Sequence, residues 1–479
     1  MGRERRNLKY EEFAHELESQ IRSGTFPAGA RIPSIRESSA QHKLSFTTVL
    51  EAYRLLENRR VIEARPQSGY YVRANPAVRI QEPDFSLLQS DPTNVSIDTI
   101  SLRLMEETLD MDYAQFGAAL PDPTLLPTAK LNRILAELAR EDTGQYKQKG
   151  AIWGREELRI QVAQRVFGCG CDLSPDSIVI TAGCSEAVNL CLQAVCAPGD
   201  LVAIESPAYF GFLMSLQALH LRAVEIPSHP HDGMSVDALR FAIENHPIKA
   251  VLAMTNFSNP TGSLMPDQVK QEFVELLAKQ GIPLIEDDIN GELYFGDSRP
   301  RVAKAYDREG LVMLCSSFSK DLSSDFRIGW VAPGKYYPEV KRLKATLNIR
   351  TSPLPQLAIA RFLDSGGYDL HLRRIRKAYS HRVRLMAQAV ATRFPESTRV
   401  TEPQGGFVLW VQLPEGLDSM VLYREAMKAF IAIAPGSIFS STRKFADCIR
   451  LNASGWSDKA EEDLLRLGKI VAALTTKKK

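Results

Sequence analysis

The first 73 residues carry apolar side chains at helical spacing in three successive segments. Phe13, Leu17 and Ile21 recur every four residues and therefore share one face of a first predicted helix. Ser34 and Ser45 are placed to cap a second and a third helix, because a hydroxyl there can accept a hydrogen bond from the free N–H groups of the first turn. The apolar face of the third helix consists of Val49, Ala52, Tyr53 and Leu56.

Two short strand patterns, 61–66 and 70–72, follow the third helix and are joined by Gln67-Ser-Gly69. Helix, helix, tight turn, helix and hairpin is the order of elements in a winged helix-turn-helix domain. We therefore predict such a domain over residues 1–73. The alternative is a three-helix interaction module that does not bind DNA.

Residues 116–479 alternate between helical patterns and short apolar runs that have the length of buried strands. This alternation predicts an α/β domain with a mostly parallel central sheet. Ligands of such sheets bind at the carboxyl ends of the strands, so polar residues that follow the runs are candidates for a site. The runs are 177–181, 201–204, 250–254, 283–285, 311–315 and 329–331.

Residues 74–115, between these two regions, are rich in Pro, Asp, Ser and Gln. They contain one short periodic patch, formed by Leu102, Met105 and Leu109. This composition predicts a linker rather than a domain, and the patch is the part that we expect to dock on the region that follows.

Charge supports the same division. The 479-residue chain has a formal net charge of +2, but residues 1–73 hold 13 Lys+Arg against 9 Asp+Glu, and residues 74–115 hold 2 against 8. A basic first domain favours contact with nucleic acid. No apolar run approaches the ~18 residues of a membrane span. The seven scattered cysteines indicate reduced thiols in a cytoplasmic protein, with no membrane partner and no metal site.

Candidate chemistry follows three of the apolar runs. Lys320 lies just after the run 311–315, where a lysine is costly unless it is used or paired. Gly183 lies between the run 177–181 and a helix predicted over 187–197, and glycine with small residues at a helix start offers backbone N–H groups to a phosphate. Tyr209, after the run 201–204, is placed to cover a flat ligand. Taken singly, these three residues have plain alternatives: a surface lysine, a tight turn and a packing tyrosine.

Further polar residues complete a possible site. Asp287 ends a buried run, and a buried carboxylate requires a cationic partner such as a protonated ring nitrogen. Asn259 offers a side-chain amide in the turn Asn-Pro-Thr-Gly. Arg327 and Arg450 add two cations that can bind anionic groups.

Residues 31–72 resemble the DNA-binding domain of GntR-type bacterial regulators, nearly without gaps over some 65 residues of the chain. The resemblance implies that the third helix enters the major groove and that the hairpin tip contacts the DNA backbone. Phe46 stands where many relatives carry an arginine, which leaves the preferred DNA sequence open. The implied DNA-binding residues are Arg36, Ser45, Thr47, Thr48, Arg65, Ser68 and Gly69.

Residues 116–475 resemble the fold-type I enzymes that use pyridoxal 5'-phosphate, the aspartate aminotransferase family. This resemblance is based on the motifs Gly-x-Ser, Tyr, Asn-Pro-x-Gly, Asp, Ser-x-x-Lys, Arg and Arg, in that order. Such a body, with a large parallel-sheet lobe and a small α+β lobe, fused to a GntR-type domain is the architecture of the MocR regulators. The resemblance therefore covers the whole chain.

The resemblance implies a role for each matching residue. Lys320 matches the lysine that forms the internal aldimine, Asp287 the partner of the pyridine nitrogen, and Arg450 the anchor of a substrate α-carboxylate. Other matches are Asn259 to the phenolic oxygen, Tyr209 to the ring face and Tyr146 to the phosphate of the neighbouring subunit. The matching phosphate cup is formed by Gly183, by Cys184 and Ser185 through their backbone, and by Ser317, Ser319 and Arg327.

Two positions depart from the family pattern. Asn290 stands where a tyrosine usually shares the phenolic oxygen of the cofactor, which weakens the expectation of efficient turnover. Asp325 stands where a small or apolar residue is usual, and it is a possible competitor of the phosphate for Arg327.

The preferred function is a homodimeric transcriptional regulator that binds double-stranded DNA at paired half-sites. It would bind pyridoxal 5'-phosphate through Lys320 and sense an amino compound. A working aminotransferase with a secondary DNA-binding domain is the alternative, because regulators of this type retain the catalytic residues. A scaffold that binds neither cofactor nor amino acid conflicts with the complete set of lysine, aspartate and arginine.

Overall fold

The computed structural model describes residues 9–22, 25–26, 29–58, 61–65, 69–72, 80–83, 91–95, 113–141 and 152–476. The chain divides into two compact units, residues 1–79 and residues 80–479. The predicted linker boundaries at 74 and 115 differ from this division and remain a prediction. None of the described helices combines the length and the apolarity that crossing a bilayer requires.

The first unit is the predicted winged helix-turn-helix. Its elements are α1 (Lys9–Arg22), α2 (Ile35–His42), α3 (Phe46–Asn58) and the antiparallel hairpin β1 (Ile62–Arg65) and β2 (Gly69–Val72). The predicted apolar faces are buried: Phe13, Leu17 and Ile21 pack with the inner face of α3 in one core.

Caps and one buried hydroxyl fix the angle between α2 and α3. The Ser34 hydroxyl accepts from the Glu37 N–H, and the Glu37 carboxylate accepts from the Ser34 N–H, which confirms the predicted start of α2. The Tyr53 hydroxyl, on α3, donates to the Pro33 carbonyl oxygen at 2.8 Å. It also lies 2.8 Å from the Ser38 hydroxyl on α2. One side chain thus links both helices to the turn before α2.

The second unit is an α/β body. Its helices are α4 (Thr128–Arg140), α5 (Glu156–Phe167), α6 (Cys184–Val195), α7 (Phe210–Ala218), α8 (Val236–Asn245), α9 (Asp267–Gln280), α10 (Tyr337–Leu347), α11 (Pro353–Asp364), α12 (Gly367–Arg393), α13 (Ser419–Lys428) and α14 (Asp458–Thr476). Its strands are β3 (Thr93–Asn94), β4 (Ala114–Gln115), β5 (Val179–Thr181), β6 (Leu201–Ser206), β7 (Arg222–His229), β8 (Gly233–Met234), β9 (Ile248–Ala253), β10 (Leu284–Asp287), β11 (Val312–Ser317), β12 (Gly329–Ala332), β13 (Arg399–Val400), β14 (Val408–Gln412), β15 (Ile431–Ala432), β16 (Ala434–Pro435) and β17 (Cys448–Asn452).

The central sheet has the strand order β3-β7-β6-β9-β10-β11-β12-β5, with β8 paired to β7. Strands β5, β6, β7, β9, β10 and β11 run in one direction, and β3, β8 and β12 run against them. The sheet is therefore mostly parallel, as predicted. Helix α6 covers one face of the sheet and packs against strand residues such as Val202 and Ile285. Helices α8 and α9 cover the other face and pack against Ala203 and Leu284. Burial on both faces explains why these strands are continuous apolar runs.

A smaller antiparallel sheet has the order β13-β14-β17-β16, and β15 pairs in parallel with β4. Its core is continuous with residues of α12, α13 and α14, such as Tyr379, Leu422 and Leu464. The predicted division into a large parallel-sheet lobe and a small α+β lobe is thus present in the structure.

Three sequence-based boundaries were wrong. The first body strand begins at Val179 rather than 177. The following helix, expected over 187–197, spans Cys184–Val195, because Gly183 at φ 90° allows the chain to turn into the helix directly. Arg450 lies inside β17 rather than after it. The sequence pattern also missed β7, because the buried residues of that strand include Glu225 and Pro227.

Parts of the predicted linker contact the body. The Val400 N–H donates to the Gln81 carbonyl oxygen at 2.8 Å, and β3 pairs with the edge strand β7. The Thr93 hydroxyl lies 2.8 Å from the Ser441 hydroxyl. The predicted docking patch, Leu102, Met105 and Leu109, lies outside the described residues.

Candidate functional site

The carboxyl ends of the central strands meet the small lobe at a cavity of about 320 Å³. Residues at the ends of β6, β10 and β11, at the start of α6 and inside β17 contribute to its wall. Eleven of the predicted site residues line it: Cys184, Ser185, Tyr209, Asn259, Asp287, Asn290, Ser317, Ser319, Lys320, Arg327 and Arg450.

Lys320 brings a primary amine into this cavity. Its Nζ donates a hydrogen bond to the Ala119 carbonyl oxygen at 2.5 Å. Burial lowers the pKa of Lys320 to about 8, and the nearby guanidinium groups of Arg450 and Arg327 act in the same direction. About a tenth of the amine is therefore neutral, and thus nucleophilic, at pH 7, far more than for an ordinary lysine.

Asp287 brings a carboxylate to the same cavity at the last position of β10. Its Oδ1 accepts from the Cys184 Sγ at 3.2 Å and from the Ile289 N–H at 3.0 Å. Burial raises the pKa of Asp287 to about 6 in spite of these donors. The group is therefore mostly ionised at neutral pH, and a cationic partner in the cavity would stabilise the charged form.

A cradle of glycines lies at the start of α6. A Cβ at Gly183 would stand 2.7 Å from the Arg327 Nη2, and a Cβ at Gly329 would stand 2.5 Å from the Gly183 carbonyl carbon. Two glycines thus let the loop, β12 and the guanidinium approach closely. The N–H groups at the start of α6 and Arg327 together form a site for an anion such as a phosphate.

Arg450 and Asn259 form a polar pair on another wall. The Arg450 Nη1 donates to the Asn259 Oδ1 at 2.9 Å, and Nη2 donates to the Gly117 carbonyl oxygen. The guanidinium also lies 5.1 Å from the centre of the Phe439 ring. Among the described residues, none accepts a hydrogen bond from the buried Nε. Burial lowers the pKa of Arg450 to about 10. A carboxylate ligand would supply the missing charge partner.

Other predicted residues contribute surfaces or backbone contacts. Tyr209 caps α7 and packs against Phe212 at 5.5 Å, while the remainder of its ring faces the cavity. The Asn290 amide donates to the Phe257 carbonyl oxygen at 2.9 Å, and the Ser317 hydroxyl accepts from the Ser319 N–H.

Asp325, the second departure from the family pattern, accepts from the Ser324 hydroxyl at 3.3 Å. Within the part of the chain that the structure describes, it forms no ion pair with Arg327. The expected competition for that arginine is therefore not seen in this arrangement.

The first unit presents a second candidate site at the start of α3. The Ser45 hydroxyl accepts from the Thr48 N–H at 3.1 Å and lies within 2.9 Å of the Thr47 and Thr48 hydroxyls. Phe46 is 50% exposed beside them. Hydroxyls and free N–H groups at a helix start are typical contacts to phosphates, and an exposed apolar ring is suited to a base edge.

Arg36 is exposed on α2, and Gly69 begins β2 at φ 106°. Arg31 was missed by the sequence analysis: its Nε would be 3.2 Å from a Cβ at Gly69, so its side chain lies along the hairpin. Tyr146, Ser68 and the side chain of Arg65 lie outside the described part, so their predicted roles remain predictions.

The sequence also failed to identify the backbone oxygens of Gly117 and Ala119, which hold Arg450 and Lys320. These contacts join positions that are separated by 333 and 201 residues, so no local pattern reveals them. The Cys184 thiol was expected to contribute only backbone, yet it contacts Asp287.

Comparison with known families assigns both units. Residues 122–466 match the class I and II aminotransferases, and residues 9–72 match the gntR family of bacterial regulatory proteins. The fold and the cavity thus define a class of proteins in which a winged helix-turn-helix unit is joined to an aminotransferase-like body. The chain belongs to the class I and II aminotransferase family and, with its gntR-type first unit, is one of the MocR-type transcriptional regulators.

The most similar relatives include two Escherichia coli K12 proteins. HTH-type transcriptional regulator YdcR is 39% identical over 97% of this chain and 99% of its own length. HTH-type transcriptional regulator YjiR is 35% identical over 97% of this chain and 98% of its own. The predicted MocR architecture, a GntR-type domain fused to an aminotransferase-like body, is confirmed.

Solved structures support the fold of the body. Kynurenine aminotransferase of Pyrococcus horikoshii superposes with a TM-score of 0.73 at 28% identity, over 79% of this chain and 95% of that one. α-Aminoadipate aminotransferase LysN of Thermus thermophilus gives the same TM-score at 26% identity, over 78% and 95%. Members of this fold family bind pyridoxal 5'-phosphate, the cofactor that the sequence predicts.

Proposed function

We propose that this protein regulates transcription by binding operator DNA through residues 1–73 and by sensing an amino compound in the body. The sensing group is pyridoxal 5'-phosphate held at Lys320. The observation that carries the proposal is that a winged helix-turn-helix and a cavity with Lys320, Asp287 and Arg450 occur in one chain.

Residues of the cavity are suited to bind the aldehyde, the ring nitrogen and the phosphate of this cofactor. The Lys320 amine, with its pKa near 8, is available for covalent attachment to the aldehyde. Asp287 would pair with the protonated pyridine nitrogen. Gly183 lacks the Cβ that would crowd Arg327, which leaves the cradle open to the phosphate. When bound, the cofactor supplies an electron sink to an attached amino group.

The remaining members of the set would surround the ring and the phosphate. Tyr209 would cover the ring face and Asn259 would bind the phenolic oxygen. The phosphate would be completed by Cys184 and Ser185 through their backbone, by Ser317 and Ser319, and by Tyr146 of a second subunit.

Arg450 would hold the carboxylate of the effector. Within the described ranges of the chain, its Nε has no hydrogen-bond partner, and its Nη atoms donate to the neutral oxygens of Asn259 and Gly117. A carboxylate that reaches this guanidinium gains a charge-assisted hydrogen bond and relieves an uncompensated buried charge. This argument favours an α-amino acid, or a compound with the same spacing of amine and carboxylate, over a simple amine.

Asn290 argues for a sensor rather than a fast enzyme. Its amide N–H is committed to the Phe257 carbonyl oxygen, and an amide does not exchange a proton as a phenol does. The proposed protein therefore lacks one of the groups that tune the cofactor in the enzymes. Aminotransferase activity is the second candidate, favoured by the intact set of Lys320, Asp287 and Arg450.

The proposal includes a homodimer that places two DNA-binding units on paired half-sites. A pair of units doubles the phosphate contacts, and the half-sites would be separated by about one or more helical turns of ~34 Å. Binding through phosphates must weaken steeply with salt.

The test combines two titrations of the purified full-length protein. Amino acids are added while the visible absorbance of the bound cofactor is recorded, and upstream DNA is titrated in a retardation assay with and without the responsive compound. The proposal expects a saturable spectral change and a shift in DNA affinity. Rapid, sustained amino-group transfer to a keto acid without any retardation of DNA at low salt would favour the enzyme instead.

A further inference from the structure

The Cys184 thiol lies at the start of α6, and the proposed function uses this residue only through its backbone. The side chain is 5% exposed and borders the cavity. Its Sγ lies 3.2 Å from the Asp287 Oδ1 and donates a hydrogen bond to it. The contact joins the glycine cradle to the carboxylate that faces the ring nitrogen in the proposed complex.

The two oxygens of Asp287 have different environments. Oδ1 accepts from both Cys184 and the Ile289 N–H, at 3.2 and 3.0 Å. Among the described residues, no hydrogen bond reaches Oδ2. One oxygen is thus held by the protein, and the other is available to a donor in the cavity.

The thiol can only donate in this position. Burial, and after it the charge of Asp287, raises the pKa of Cys184 well above its ordinary value. The group therefore stays protonated across the physiological range, and its proton points to the nearest charged acceptor. An ionised thiolate beside a buried carboxylate would place two like charges in contact.

The position of the thiol is fixed by its surroundings. Gly183 and Gly329 pack backbone against backbone directly before it. Two turns later on the same face of α6, Cys191 Sγ lies 3.7 Å from Cys315 Sγ, and Cys315 is the strand partner of Asp287. Helix and sheet are therefore in contact at both ends of this segment, so the Cys184 side chain cannot follow a carboxylate that rotates away.

We infer that Cys184 is a positioning residue that fixes the Asp287 carboxylate through Oδ1, so that Oδ2 is directed at the ring nitrogen of the bound cofactor. The inference rests on the proposed binding of pyridoxal 5'-phosphate. It adds a residue that acts through Asp287 and does not itself touch the reacting atoms.

The pH dependence of cofactor binding provides the readout. Because a protonated ring nitrogen pairs with an ionised carboxylate, Asp287 must release its proton when the cofactor binds below the carboxyl pKa of about 6. Removing the Cys184 donor raises that pKa further, so the loss of affinity at low pH begins at a higher pH. The ionisable groups that act on Asp287 or are affected by it include Cys184, Asp288, Lys320, Glu205, Tyr209 and Cys315.

The variants are Cys184→Ala and Cys184→Ser, with Cys191→Ala as the matched control. Cys191 is also a buried cysteine on α6, but its recorded contact is with Cys315 and not with Asp287. For each protein the dissociation constant of pyridoxal 5'-phosphate is measured between pH 5 and 8 by fluorescence, together with the visible spectrum.

We expect about tenfold weaker binding in Cys184→Ala at neutral pH, from the loss of one hydrogen bond to a charged group, and an upward shift of the acid midpoint. Cys184→Ser should recover most of the affinity, since a hydroxyl also donates. Cys191→Ala should match the wild type. An acid midpoint in Cys184→Ala equal to that of the wild type would overturn the inference.

The serine variant keeps a buried donor of similar size, so it tests the inference even if the alanine variant does not fold: a folded Cys184→Ser protein that binds the cofactor about tenfold more weakly than the wild type would overturn the inference. A wild-type protein that binds no pyridoxal 5'-phosphate would overturn the proposed function and this inference together. A wild type that binds it, with an unaltered Cys184→Ala variant, would overturn the inference alone.

Discussion

Two arginines of the body, Arg450 and Arg299, differ in whether their partners carry a negative charge, and this difference predicts how much stability each contributes. Arg450 is 1% exposed and its recorded partners are the neutral oxygens of Asn259 and Gly117. Arg299 is also buried, but it contacts the Asp288 carboxylate at 2.6 Å and the Glu292 carboxylate at 3.3 Å. We expect that removing the Arg450 charge costs little stability, whereas removing the Arg299 charge costs much.

The magnitude for Arg450 follows from its charge and its two hydrogen bonds. Lowering the pKa from 12.5 to about 10 means that the buried charge is disfavoured by about 3 kcal/mol. This pKa is lower in the folded state, so stability rises only above pH 10 and the penalty is fully present at neutral pH. Losing the two hydrogen bonds costs about 1–3 kcal/mol each, less where water from the cavity replaces them. The opposing effects nearly cancel.

Arg450→Met should therefore change the free energy of unfolding by less than about 2 kcal/mol. Arg299→Met leaves the buried Asp288 carboxylate without its cation, while Glu292 keeps Arg376 at 2.8 Å, and the substitution should cost about 3–5 kcal/mol. Both substitutions replace one long side chain with another that retains an apolar stem, so the difference between them reports charge rather than volume.

Urea unfolding of the cofactor-free protein, followed by tryptophan fluorescence, measures both values. All four tryptophans lie beyond residue 150, so the signal reports the body and not the first unit. Equal destabilisation by the two substitutions would refute the reasoning, because it would mean that Arg450 has a charge partner that offsets its burial.

The same variant separates stability from sensing. A saturating α-amino acid should raise the unfolding temperature of the wild-type protein, since a ligand that binds only the folded state stabilises it by mass action. Arg450→Met should retain the visible band of the cofactor and lose this stabilisation. A response as large as that of the wild type would remove Arg450 from the proposed role as carboxylate anchor.

Three other changes test other parts of the molecule. Lys320→Ala should abolish the visible band and the attachment that borohydride makes permanent. In the wild type, the rate of cofactor capture should rise with pH through about 8, because the neutral amine reacts and its folded-state pKa is about 8. Gly329→Ala should disrupt the phosphate cradle, which lowers cofactor affinity and lowers the free energy of unfolding in urea by about 1–3 kcal/mol or more. The control Gly455→Ala, whose Cβ would meet nothing within 4 Å, should change neither measurement. Tyr53→Phe should leave Ser38 and the Pro33 carbonyl oxygen without their partner and cost the first unit about 1–3 kcal/mol, seen as faster hydrogen exchange in α2 and α3; unchanged exchange would contradict the role given to this hydroxyl.

The sequence predicted the central sheet well because its strands are buried on both faces. Val251 and Leu252 face opposite covering helices, so β9 appears as an uninterrupted apolar run. The polar residue that ends such a run stands out, and Asp287 and Lys320 were found in this way. β7 was missed for the opposite reason: Glu225 is buried within it and accepts from the Ser206 and Ser440 hydroxyls.

The arrangement of the site was less predictable than its membership. Arg450 was expected after a strand but lies inside β17, since its side chain reaches the cavity from the small sheet. The contact of Cys184 with Asp287 spans 103 residues and depends on how α6 packs on β10. Motif spacing identifies residue types; tertiary packing decides which atoms of those residues meet.

The described linker residues bear on how the body could influence the DNA-binding unit. The Gln81 carbonyl oxygen accepts from the Val400 N–H at β13 of the small sheet, while Glu82 lies 2.6 Å from the His231 ring at the end of the β7–β8 hairpin. Consecutive residues thus contact both lobes of the body. Any movement of the small lobe relative to the central sheet must lengthen one of these contacts or shift the chain at residues 80–83, directly beyond the boundary of the first unit. If an effector held by Arg450, on β17 of that same small sheet, favours one position of the lobe, operator DNA and effector must alter each other's affinity by an equal factor. Gln81 and Glu82 are therefore our candidates for residues through which a movement of the small lobe changes the chain that follows the first unit, in addition to the predicted patch at Leu102.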